Sequence, residues 1–264
     1  MMDHIRIYGI LNVTPDSFSD GGSYIDADAA ASHALKMIEE GADVIDIGGM
    51  STRPGFTDVS VDEEISRVVP VIKLIKSKAP FAVISVDTFR AETARASLEA
   101  GAGIINDITG LMGDSDMASV VKSYGAGVVI MRDGFGDPDE NWEVTLQRSV
   151  DRAKTAGIAD SMIMIDPGVG FTKTREQDIQ LIKAIPSMIR RWGYPVLLGV
   201  SRKRIAAEFY VTDTPASERL GASIGLALRG IDLGASILRV HDVKQTRAAV
   251  NAYMRITDDG QHKS

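Results

Sequence analysis

Short apolar runs rich in Val, Ile and Leu alternate along the chain with longer stretches in which apolar residues recur every three or four positions. The short runs are RIYGIL (6–11), DVIDIG (43–48), FAVISV (81–86), GIIND (103–107), GVVIM (127–131), MIMID (162–166), PVLLGV (195–200) and SILRV (236–240). Each reads as a strand buried on both faces. Between them, DADAAASHALKMIEEGA places Ala30, Ala34, Met37 and Ile38 on one helical face and Glu39 and Glu40 on the other. VDEEISRVVPVIKLIK does the same with Ile65, Val68, Val69, Ile72 and Ile75, and Pro70 reads as a tolerated kink. Gly41, Gly101, Gly125, Gly157 and Gly234 stand where successive helices should end, just before the next strand.

Doubly buried strands separated by helices require parallel pairing and right-handed crossovers. Eight such units in 264 residues come to 33 residues each, the scale of a (β/α)8 TIM barrel of ~250 residues. An open doubly wound sheet is the alternative. No linker or shift in composition divides the chain, so one domain, 1–264, is expected, with a polar tail over 257–264.

Composition narrows the function more by exclusion. With 29 Lys+Arg against 36 Asp+Glu the formal charge is −7, which argues against a nucleic acid or an anionic membrane as partner. There is no cysteine, and so no disulfide, thiol nucleophile or Cys-ligated zinc. No apolar run reaches membrane-spanning length and the first residues do not read as a signal peptide, so a cytoplasmic location is expected.

In a barrel of this kind the chemistry sits beyond the C-terminal ends of the strands, and here those positions are unusually polar. NVTPDSFSDGG follows the first strand with Asn12, Asp16 and Asp20; GGMSTRPGFTD follows the second with Thr52 and Arg53. The later strands end in Asp87, in Asn106 and Asp107, in Met131 and Arg132, in Asp166, in Arg202, Lys203 and Arg204, and in Arg239, His241 and Asp242. Any one of these is as readily a helix cap or a solvated charge. Asp87, Asn106 and Asp166 together, however, converge on the mouth and match a heterocycle with a donor–donor–acceptor edge, such as a 2-amino-4-oxopyrimidine, which a carboxylate can hold bidentately. Arg53, Lys203 and Arg239, with His241 alongside, form a second group suited to a phosphate or diphosphate, helped by the helix that opens after Arg202. Asn12 and Asp20 are oxygen ligands suited to Mg2+ bridging to such a substrate. A Schiff-base role is chemically open to Lys203, and Met131 serves equally as core or as a surface for a flat ring. The glycine pairs form no Walker or dinucleotide fingerprint, and four histidines without a helical pair give no metal motif.

In order along residues 6–255, GILNVTPDSFSDGG, DVIDIGGMSTRPG, SVDTF, INDITG, DPGVGFTKT, LLGVSRKR and ILRVHDV resemble the dihydropteroate synthase family of pterin-binding enzymes. The resemblance implies a (β/α)8 enzyme of folate synthesis, a homodimeric sulfonamide target. It would join 6-hydroxymethyl-7,8-dihydropterin diphosphate to 4-aminobenzoate, releasing diphosphate and 7,8-dihydropteroate. It also implies that Asp87, Asn106, Asp166 and Lys203 hold the pterin, with Arg239 and Met131 flanking the ring. Asn12 would bind Mg2+ with the diphosphate, which Arg53, Arg239 and His241 contact. Asp16, Phe18 and Asp20 on the first loop, with Thr52, Arg53 and Pro54 on the second, would close over the site. Gly170, Phe171 and the helix start after Lys203, where Arg204 stands, would shape the aminobenzoate pocket.

Three positions depart from that pattern. Met50 stands where the family has Glu or Gln, Arg132 where His is frequent, and Arg204 where Ser is frequent. Arg204 takes the aminobenzoate carboxylate, or narrows that pocket and excludes sulfonamide analogues, or turns outward, and Arg202 reads as a structural or outward ion-pair partner. These departures keep open a divergent pterin-binding paralogue without synthase activity. A methyltetrahydrofolate methyltransferase shares the Asp–Asn–Asp edge but has no need of NVTPDSFSD and STRPG as diphosphate-handling loops.

Overall fold

The computed structural model describes residues 4–14, 26–50, 59–137 and 139–257. Its strands are β1 (Arg6–Asn12), β2 (Val44–Gly48), β3 (Val83–Asp87), β4 (Ile104–Asp107), β5 (Gly127–Met131), β6 (Ile163–Asp166), β7 (Leu197–Leu198) and β8 (Ile237–Val240). They form one parallel sheet in the order β6-β5-β4-β3-β2-β1-β8-β7. A parallel bridge between Ile165 and Val196, where Ile165 N donates to Pro195 O at 3.0 Å, joins the two ends. The sheet is therefore a barrel with one thin seam, and the open doubly wound alternative is excluded.

The helices are α1 (Ala27–Glu39), α2 (Val61–Lys78), α3 (Ala91–Glu99), α4 (Met117–Tyr124), α5 (Trp142–Thr155), α6 (Arg175–Lys183), α7 (Ile185–Trp192), α8 (Arg204–Ala207), α9 (Leu220–Asp232) and α10 (Val243–Thr257). Side chains start several of them by accepting orphan N–H groups. Asp26 takes Ala29 N at 2.9 Å and Ser60 takes Glu63 N at 3.1 Å, while Thr174 and Gln177 form a reciprocal capping box. The five glycines expected to end helices all have positive φ.

Two expectations are corrected. The seventh strand is two residues long rather than 195–200, because Pro195 has no N–H for a ladder and Val200 O already accepts Lys203 N in a turn. On α2, Ile65 and Val69 are only half-buried, and Glu64 is fully buried in their place. Glu64 can go inside because Arg90 Nη1 and Thr93 Oγ1 donate to its Oε2 at 3.1 and 3.0 Å. Pro70 lies within α2 without ending it, as expected.

The strands are all-apolar for most of their length because both faces are covered. One alternate set, including Ile7, Ile45, Ile84, Ile105 and Ile165, packs with the helices in the main core. The other set, Tyr8, Val44, Val129, Met164, Leu197 and Ile237 with Ile104 beside them, forms a separate cluster inside the barrel. Among the described residues no helix is long and apolar enough to cross a membrane.

Candidate active site

Strand side chains alternate with period two, so each inward row continues from the apolar cluster toward the mouth. On β2 the residues after Val44 in this row are Asp46 and then Gly48; on β4 Asn106 follows Ile104; on β6 Asp166 follows Met164; on β8 Arg239 follows Ile237. The register fixes their heights. Asn12 pairs with Gly48, Gly48 with Asp87 and Asp87 with Asn106 across four neighbouring strands, and Met131 pairs with Asp166. The apolar plug thus gives way within two residues to a layer of amides and carboxylates.

Arg239 organises that layer. Its Nε donates to Asp46 Oδ2 at 2.5 Å and its Nη2 to Asp87 Oδ2 at 2.6 Å. Asn106 Nδ2 donates to the same Asp46 Oδ2 at 3.2 Å. Oδ1 of Asp46 and Oδ1 of Asp87 are buried and accept no hydrogen bond among the described residues. Burial pushes the Asp87 carboxyl up to about 7; Arg239 and Lys203 oppose this while the charges of Asp46 and Glu64 add to it. Burial likewise raises Asp166, against the pull of Lys203. Arg239 is itself buried, yet Asp46 and Asp87 outweigh that and hold its pKa above the ordinary value.

Lys203 comes from the turn after β7, at the N-cap of α8. Its Nζ donates to Val169 O at 2.6 Å and lies 5.2 Å from the centre of the Phe171 ring. Burial lowers its pKa, with Asp166 pulling the other way. Gly170 lets this side chain pass: its φ is +91°, and a Cβ there would lie 2.8 Å from Lys203 Cδ. Asp178, buried on α6, holds the same loop by accepting Gly170 N and Thr172 Oγ1, both at 2.7 Å. Asp166 also accepts Gly168 N at 2.7 Å. Lys203, Asp166, Gly170 and Phe171 are therefore one packed unit.

The three cations after β7 separate. Arg202, at φ +59°, makes a bidentate ion pair with Asp242 at 3.0 and 2.6 Å, the structural partnership expected of it. Lys203 turns inward. Arg204 is exposed at the start of α8 and makes no hydrogen bond or ion pair among the described residues. His241 Nδ1 lies 3.1 Å from Ser201 Oγ, and His241 N donates to the same oxygen at 3.2 Å, tying the β8 end to the β7 turn. Asn12 and His241 line a cavity of about 360 Å3 that His33, Arg202 and Lys244 also border.

Of the departures, Met50 is buried beside Gly49, whose carbonyl accepts Arg67 Nη1 at 2.8 Å. Arg132 is 2% exposed; its Nη2 donates to Phe171 O at 3.3 Å and its Nε has no partner. Burial lowers its pKa, with Asp133 and Asp178 acting against the shift. Met131 is buried at the end of β5.

Asp16, Phe18, Asp20, Thr52, Arg53 and Pro54 lie outside the described residues. The rest of the expected set gathers at one end of the barrel: Asp87, Asn106, Asp166, Lys203 and Arg239 around the centre, and Asn12 and His241 toward β1 and β8. Sequence reasoning missed Asp46 and Asp178. Asp46 carried a signal, since it is the one charge inside the apolar run after Asp43 and shares Gly48's face by period two. Asp178 carried none, because an acid in a first helical turn reads as a dipole partner. Among the described residues no group of three or more His, Asp or Glu is arranged to hold a metal ion.

Residues 8–241 match the profile of a family described as pterin binding enzyme. A dihydropteroate synthase of Streptococcus pyogenes serotype M6 is 45% identical over 250 residues, 92% of either chain. The solved dihydropteroate synthase of Clostridium difficile, in the presence of pteroic acid, superposes with a TM-score of 0.89 at 40% identity, covering 97% of this chain and 98% of that one. A Xanthomonas albilineans dihydropteroate synthase with 4-aminobenzoic acid gives 0.89 at 39% identity, over 98% and 95%.

Proposed function

The chain belongs to the pterin-binding enzyme family and within it to the dihydropteroate synthases, and from that premise we propose how its own residues carry the reaction. The activity is transfer of a pterinylmethyl group from 6-hydroxymethyl-7,8-dihydropterin diphosphate to the amine of 4-aminobenzoate, with release of diphosphate. The observation that supports this best is the inward layer in which Asp87, Asn106 and Asp166 meet Lys203 and Arg239. Relatives solved with pteroic acid and with 4-aminobenzoic acid add to it.

In this reading the free Oδ1 of Asp87 and the Asp166 carboxylate accept N–H groups of the pterin edge. Lys203 Nζ is placed to donate to the ring carbonyl, and Met131 and the Arg239 guanidinium bound its faces. The buried site replaces water around the ring with fixed dipoles, which favours charge as it develops on the exocyclic methylene. The C–O bond to the diphosphate breaks with its electron pair leaving on the diphosphate. The aryl amine captures that carbon beside Gly170 and Phe171, with Arg204 at the carboxylate end and the amine proton passing to water or to the departing diphosphate. Asp16, Phe18, Asp20, Thr52, Arg53 and Pro54 are assigned to the loops that close over it. No protein nucleophile is required.

The residues present fit a Mg2+ ion that keeps most of its water. Asn12 offers a neutral amide oxygen at the strand end, on the border of the cavity that His241 also lines. Asn12 would hold the ion, Arg239 and His241 would contact the diphosphate with it, and the bound ion would supply positive charge to the leaving group. A cytoplasmic homodimer is the proposed working form, on likeness to the family.

The test is diphosphate release from purified protein given both substrates, with and without Mg2+. Release that requires both substrates and Mg2+ is expected. Pterin binding without release would leave a pterin-binding paralogue instead.

A further inference from the structure

We propose that Asp46 is a positioning residue of the pterin site, which holds Arg239 and Asn106 in one fixed arrangement beneath the ring. The inference rests on the reading just given and adds to it a residue from outside the set that faces the substrate.

Asp46 sits one inward position below Gly48, at the bottom of the polar layer, and is completely buried. Its Oδ2 accepts from two groups that arrive on strands far apart in the ring order, Arg239 Nε from β8 and Asn106 Nδ2 from β4. Each contact decides something the substrate would read. An amide has two ends, and with Nδ2 given to Asp46 the Asn106 carbonyl is the end left to accept a ring N–H. A guanidinium on a flexible stem has many rotamers. With Nε on Asp46 and Nη2 on Asp87, the plane of Arg239 is pinned at two points.

A buried carboxylate is an unfavourable way to fill a barrel, and this one also repels Asp87. The equivalent inward places on the neighbouring strands hold Ile10 on β1 and the small Ser85 on β3, neither of them charged, so packing alone does not account for an acid here. Positioning does, because the ring is held by groups that Asp46 orients.

The experiment compares the wild-type enzyme with Asp46→Ala and Asp46→Asn, measuring diphosphate release with each substrate varied in turn, the pH profile, and Tm. Asp46→Ala should raise the KM for the pterin substrate by about tenfold or more, the scale of a lost charge-assisted hydrogen bond, while the aminobenzoate KM stays within about twofold. Asp46→Asn, which keeps an acceptor oxygen, should recover most of the pterin KM. It should also move the acid limb of the profile to lower pH. Asp87 would then face the cations Arg239 and Lys203 with Glu64 as its only remaining acidic neighbour among those that act on it. An unchanged pterin KM in Asp46→Ala, or an equal rise in both KM values, would overturn the proposal. If the alanine variant does not fold, an unmoved acid limb in Asp46→Asn overturns it. A wild-type protein that releases no diphosphate would sink the underlying reading instead, so the two failures are distinct.

Discussion

Arg239 Nη2 donates to Asp87 Oδ2 at 2.6 Å, joining the last strand to the third across the barrel mouth. The Asp87 carboxyl is nonetheless pushed up to about 7, because burial and the neighbouring acids Asp46 and Glu64 outweigh Arg239 and Lys203. In its proposed role Asp87 accepts ring N–H groups, and the ionised carboxylate is the stronger and the only bidentate acceptor, so affinity for 6-hydroxymethylpterin should rise by up to about tenfold between pH 6 and pH 8 and level off above. Calorimetric titration across that range measures it, and Asp87→Asn should bind weakly at every pH. The stability effect has the opposite sign. A carboxyl whose folded pKa lies above its ordinary value stabilises the fold at acid pH, and that contribution is lost as pH rises from about 4 to about 7.

Gly170 and Lys203 are coupled by contact. Gly170→Ala would place a Cβ 2.8 Å from Lys203 Cδ at a φ of +91°, and should destabilise the protein by about 1 kcal/mol or more. Lys203 would be pushed off Val169 O and out of its place beside Asp166. The expected kinetic result is a rise in pterin KM in the same direction as Lys203→Met. A variant with wild-type KM for both substrates would show that Lys203 does not need this passage.

Much of this was legible in the chain because apolar runs and helix-ending glycines act locally. The eight strands follow from doubly buried Val/Ile/Leu segments, and the mouth residues follow from reading what comes after each. β7 shortened because Pro195 and the turn at Val200 remove ladder partners, a matter of hydrogen bonds rather than hydrophobicity. Glu64 displaced Ile65 from the core because its partners, Arg90 just before α3 and Thr93 within it, are beyond the reach of a pattern within one helix. Asp46 lies below the strand end, and a deeper inward acid becomes meaningful only through the meeting of Arg239 and Asn106 on it, two residues from distant parts of the chain.

Arg204 begins α8 exposed and without an ion-pair partner among the described residues. In the proposed reading its guanidinium meets an incoming carboxylate at the outer end of the loop assigned to the aminobenzoate. An exposed ion pair contributes at most ~1 kcal/mol, so Arg204→Ser should raise the aminobenzoate KM by about two- to fivefold and shift sulfonamide inhibition, with the pterin KM unaltered. If neither aminobenzoate nor sulfonamide affinity moves, the side chain faces away from the pocket.

Arg132 offers a sharper separation of stability from function. The side chain is 2% exposed, its Nε has no hydrogen-bond partner, and its single described hydrogen bond runs from Nη2 to Phe171 O at 3.3 Å. A charge buried with so little compensation is a poor source of stability, and replacing such groups with apolar ones of similar length is neutral or favourable in many proteins. Arg132→Met should therefore leave Tm unchanged or raise it. The same change releases the Phe171 carbonyl, and Phe171 lies against Lys203 in the loop assigned to the aminobenzoate pocket. The aminobenzoate KM should rise by about threefold to tenfold, the range expected for one hydrogen bond to a charged donor of marginal length. Thermal denaturation and steady-state kinetics on the same preparation decide it. A fall in Tm with unchanged kinetics would make Arg132 a structural residue, whereas stable protein with a weakened aminobenzoate site would mean that this buried charge serves the Phe171 loop.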